Sequence, residues 1–134
     1  MKNSTLTLLI GAVVVAVNAL EKNMHVLDSV TDFNSGDEEA NNRLISKHKA
    51  VVSRLDSLVC NMRAAELSGK NSVFLNPMEL HSVNRAALDQ IAELDKSMAY
   101  FCQMGESEMV VRSFQKKIEA LHMAVFEANS WGRR

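Results

Sequence analysis

Residues 5–20 read TLTLLIGAVVVAVNAL, a run without a single charged side chain. The chain of 134 residues carries 15 basic and 16 acidic side chains, and of all these only Lys2 falls among the first twenty positions. How this run is read decides the fold, and three readings compete. As a secretory signal, Lys2 supplies a short basic start, residues 6–17 the apolar stretch, and Val17-Asn18-Ala19 a cleavage site before Leu20. As a membrane anchor, the run reaches only about 24 Å at ~1.5 Å per residue, short of a ~30 Å hydrocarbon core. Thr5, Thr7 and Asn18 weaken that reading further. As a helix buried by other protein, the run has an ordinary length, since apolar stretches too short to span are often core helices.

The spacing of apolar residues arbitrates. Positions 6, 10, 13, 17, 20, 24, 27 and 31 are Leu, Ile, Val, Val, Leu, Met, Leu and Thr. The steps alternate four and three, and the seam crosses Leu20 without a change of phase. The run is therefore half of one helix of about thirty residues, ending near Phe33. Off the seam, Leu8, Leu9, Val14 and Val15 give way to Glu21, Lys22, His25 and Asp28. The first half is apolar all round, and the second is amphipathic.

Asn34-Ser35-Gly36 breaks this helix, and Ser35 with Glu38 has the spacing of a capping box. The second helix carries Leu44, His48, Val51, Leu55, Leu58, Met62 and Ala65 on the same spacing, and Gly69 stops it. Val73-Phe74-Leu75 is expected to tuck against the bundle end. Asn76-Pro77 opens a third helix, with Glu79 completing its cap. Its seam is Leu80, Asn84, Ala87, Ile91, Leu94, Met98 and Phe101, interrupted by Gly105. Ser107 caps a fourth helix, with Val111, Phe114, Ile118, Leu121, Val125 and Ala128. The expected fold is all-α: one domain over 1–134, an up-down-up-down four-helix bundle with helices at about 4–33, 36–68, 77–104 and 107–130. Composition agrees, with 47% apolar and 5% aromatic residues, one proline and five glycines. That profile excludes a disordered chain and argues against a β-sandwich. A formal charge of −1 lacks the basic excess of a general nucleic-acid binder.

The matched helix lengths favour placing residues 5–20 inside the bundle. Arg54, Asp56, Arg63, Glu66, Arg85, Asp89 and Glu127 fall at the same level, so the whole bundle does not sit in lipid. Leu8, Leu9, Gly11, Ala12, Val15, Ala16 and Ala19 cannot all face inward, and they are expected to form an outer, partner-binding face. The alternative is simply a wide apolar stripe. His48 and Asn84 are polar seam positions, expected to set register within the core.

Catalytic constellations are sparse. His25, His48 and His122 fall at about 12, 18 and 24 Å below the first turn, and His81 lies near the far end. Glu119 and His122 match one Glu-x-x-His pair of a di-iron bundle, but no second pair exists, so a local contact between these two is expected instead of a metal. Cys60 and Cys102 are expected over ~30 Å apart along the bundle, as free thiols, which points weakly to a reducing compartment. Phosphate loops and nucleophile elbows are absent. Trp131 either caps the bundle end or anchors to a membrane interface or partner. Met24, Met62, Met98, Met104, Met109 and Met123 are read as packing, with a methionine-rich regulatory groove as a lesser alternative.

The expected function is non-enzymatic: a structural, adaptor or assembly protein acting by self-association or partner binding through the first helix. A component of a virion or secretion apparatus is one form of this. It implies no cofactor, metal, nucleic acid or small-molecule substrate, and a cytoplasmic or particle-bound location. The rival is an exported or membrane-tethered bundle, such as a periplasmic inhibitor or sensor module, with 1–19 as signal or anchor.

Overall fold

A computed structural model describes residues 5–31 and 38–131. Among these residues are four helices and no strand: α1 Thr5–Thr31, α2 Glu38–Leu67, α3 Pro77–Gln103 and α4 Glu108–Ala128. They form an all-α four-helix bundle with bounds close to those expected from the seams. The break at residues 34–36, the end of the first helix near Phe33 and the Ser35–Glu38 box lie outside the described residues.

Local chemistry sets the helix ends. The Asn76 side chain accepts from the Glu79 N–H at 2.8 Å, and the Glu79 carboxylate accepts from the Asn76 N–H at 3.1 Å. Together with Pro77 this is a complete capping box, satisfying two otherwise orphaned donors. Gly69 takes a left-handed φ of +79°. Lys70 N–H then reaches back to the Ala65 carbonyl and Gly69 N–H to that of Glu66, closing α2 with a Schellman turn. Gly105, at φ +74°, ends α3 in the same way, with bonds to Phe101 and Cys102. Ser107 occupies the N-cap position of α4 but makes no side-chain capping bond, so that expectation is corrected: the backbone alone starts the helix.

The start of α1 meets the ends of α2 and α4. The Thr7 hydroxyl donates to the Glu66 carboxylate, and the Thr5 hydroxyl to that of Glu127. The Asn84 amide, early in α3, donates to the Asn129 side-chain carbonyl at 2.9 Å, just past α4. These contacts fix the up-down-up-down order. Helix α1 packs on α2, α3 and α4, α3 packs on α4, and α2 makes its extensive helix contact with α1.

Three neighbours account for the width of the buried stripe on α1. Leu6, Leu9, Ile10, Ala12, Val13 and Val17 are buried. At 100° per residue they cover an arc of about 160°, wider than a two-neighbour seam needs. Across the bundle they meet Val52, Leu55, Leu58, Val59 and Met62 of α2, Val83, Ala86 and Ala87 of α3, and Ala124 and Ala128 of α4. Leu75, in the connection before α3, is buried in the same cluster, and Val73 packs on it while Phe74 is exposed.

The core is concentrated at one end. Seam residues in the other half, including Leu20, Met24, Leu27, Val51, Leu94, Met98, Phe101, Phe114 and Ile118, are only half-buried, and Leu44 is exposed. The cause lies in the sequence of α1. Where it is apolar all round, three helices close on it, and where Glu21, Lys22 and His25 appear, each must keep access to water. Phe101 and Phe114 stack with ring centroids 5.5 Å apart, tying α3 to α4 in this half.

Candidate interaction surface

The outer face expected on α1 is only partly outer. Leu9 and Ala12 are corrected: both are buried within the core. Leu8 and Ala16 are half-buried and pack against it. Gly11, Val15 and Ala19 are exposed, and Thr7 and Asn18 join them. The solvent-facing arc is therefore narrow and made of small or polar side chains, with Val15 its one large apolar member at 51% exposure.

A groove runs along this arc between α1 and α2. It is lined by Thr7, Ile10, Gly11 and Val14 on α1 and by Arg63, Glu66 and Leu67 on α2. Leu67 stands 87% exposed at its edge, the highest exposure among the large apolar side chains described. Gly11 is exposed on the groove's α1 side, and a Cβ added there meets nothing within 4 Å among the described residues. Its backbone is helical, without the positive φ that would require glycine. A mid-helix glycine costs about 0.5–1 kcal/mol relative to alanine, and no neighbour among the described residues requires it. Arg63 has no ion-pair partner among the described residues, and Glu66 accepts from Thr7.

A second groove lies between α2 and the start of α3. It is lined by Arg54, Ser57, Asn61, Asn76, Glu79 and Ser82, with Leu55, Leu58 and Met78.

The two polar seam residues behave differently. His48 is half-buried, and its Nδ1–H donates to the Leu44 carbonyl one turn back, at 2.8 Å. This bond lies within α2, so it joins no second helix. Asn84 does join two elements, through Asn129. Its own carbonyl oxygen is buried without a partner, as is that of Gln90 on the same helix.

Other expected positions resolve as follows. The His122–Glu119 contact is corrected: it does not form, and His122 is exposed. Among the described residues no group of three or more His, Cys, Asp and Glu side chains is placed to hold a metal ion. Cys60 and Cys102 are free and exposed. Met62 is fully buried, and Met24 and Met98 are half-buried. Met104, Met109 and Met123 are exposed, which corrects their reading as packing. They sit at the α3–α4 turn and on the outer side of α4, beyond the reach of the core. Trp131 packs against the core at the end where α1 begins. The four ion pairs described, such as Arg43–Glu39 at 2.9 Å, are exposed pairs within single helices and contribute little.

Sequence reasoning missed the groove because it treated α1 alone. Arg63, Glu66 and Leu67 enter only when α2 is laid beside it, although Gly11 was already placed on the outer face.

The chain matches no family model, no curated protein and no solved structure.

Proposed function

We propose that this chain is a non-enzymatic structural, adaptor or assembly protein that works by self-association or by binding a protein partner through the outer side of α1. The observation that carries the reading is the open groove at Gly11, where a helix glycine that no described residue crowds shares a groove with an exposed Leu67. Such a site suits the close approach of another helix.

A second reading has one observation in its favour. The segment Thr5–Leu27 is long and apolar enough to cross a membrane. An exported or membrane-tethered bundle would use it so. Burial of Leu6, Leu9 and Val13 against three helices supports the core role over this one. Intact mass and light scattering of the full chain, with and without detergent, separate the two. The assembly reading expects Met1 retained and oligomers in detergent-free buffer. A mass lacking the first nineteen residues overturns it, and a soluble monomer with Met1 present overturns its self-association form.

A further inference from the structure

The groove over Gly11 holds both halves of a contact with itself. In a two-fold dimer the same patch is used twice, so each residue needs its complement on its own surface. Here a cation, Arg63, and an anion, Glu66, stand one turn apart on α2, and a knob, Leu67, stands beside a notch, Gly11. We propose that a second copy of this chain docks in the groove, with a two-fold axis passing through it. Arg63 then faces Glu66 of the other copy, Glu66 faces its Arg63, and each Leu67 enters the other's Gly11 notch.

Charge decides the class of occupant. The hydrocarbon interior of a membrane would have to take up Arg63 and Glu66 without an opposing charge, which is costly. A second copy offers each an opposite charge in place of water. The notch favours the same occupant. Gly11 has open space above it among the described residues, which leaves room there for a side chain of another molecule. The mixed charge of the patch also limits the partners that fit, because a purely acidic or basic surface would oppose one of the two side chains. The inference rests on the self-association reading and narrows it to seven residues.

The test is sedimentation velocity of the full chain in detergent-free buffer over a range of concentrations. The wild type is expected to dimerise. Arg63→Glu places like charges in both copies of the contact, as does Glu66→Arg, and each alone weakens association by roughly tenfold or more. An equimolar mixture of the two variants recovers the dimer. The carboxylate introduced by Arg63→Glu in one copy then meets the guanidinium introduced by Glu66→Arg in the other, and the unaltered Glu66 of the first meets the unaltered Arg63 of the second. Gly11→Leu fills the notch and weakens the dimer while helicity is retained. If Glu66→Arg loses its fold along with the Thr7 bond, Arg63→Glu and Gly11→Leu carry the test. A wild-type dimer indifferent to these changes, or variants that do not recover on mixing while both remain folded, overturns this contact and leaves self-association standing. A wild type that is monomeric throughout, or that floats with phosphatidylcholine vesicles instead of dimerising, overturns both.

Discussion

Replacing Leu9 by alanine probes the packing of α1 most sharply, because Leu9 lies in the charge-free run and is 0% exposed. Its side chain is enclosed by the cluster shared among α1, α2, α3 and α4. Truncating a fully buried leucine removes its transfer energy and leaves a cavity, together about 2–5 kcal/mol. The site is enclosed by all four helices, which limits collapse into the space, so the expected loss is about 3 kcal/mol. A chain of 134 residues unfolds with an entropy of ~0.28 kcal/mol/K, at ~2.1 cal/mol/K per residue. The melting temperature should therefore fall by about 10 °C. Val15→Ala, six residues along the same helix on the exposed arc, is the control, with an expected cost of about 0.5 kcal/mol. Far-UV circular dichroism melts and urea titrations of the full chain read both. If Leu9→Ala shifts the melt no more than Val15→Ala does, α1 is not in the core and the packing argument fails.

Three further predictions concern the ends of the helices. Asn76→Ala removes a capping box with both bonds formed and should cost about 1 kcal/mol, whereas Ser107→Ala, which loses no capping bond, should cost only a few tenths in the same urea titration. Asn129→Ala leaves the Asn84 amide without its partner and should cost about 1–2 kcal/mol. An unchanged urea midpoint would remove Asn84 from its role in joining α3 to the end of α4. Gly69→Ala forces a β-carbon into a left-handed turn and should destabilise by about 1 kcal/mol, read by thermal melting.

The bundle was legible in the sequence because four seams of matched length need one another. The chemistry of single residues marked the ends well at Gly69, Asn76 and Gly105, where φ or a side-chain oxygen decides. Ser107 fails because a serine at the right position can still leave its hydroxyl unused. The outer face was legible only in part. A heptad seam assumes two neighbours, and α1 has three, so Leu9 and Ala12 turned inward. The groove was hidden because it belongs to two helices, and spacing along one cannot reveal what stands opposite. His48 and Asn84 looked alike as polar seam positions. They diverge because histidine can bond its own preceding turn, whereas Asn84 lies within reach of Asn129.

Hydrogen exchange of the full chain in detergent-free buffer tests most directly whether residues 5–20 form a core helix. The account predicts that the amides of residues 6–17 exchange as slowly as those around Val83 and Ala87, and more slowly than those of residues 20–27, where seam burial is only partial. Rapid exchange across residues 6–17 while α3 and α4 stay protected would contradict it.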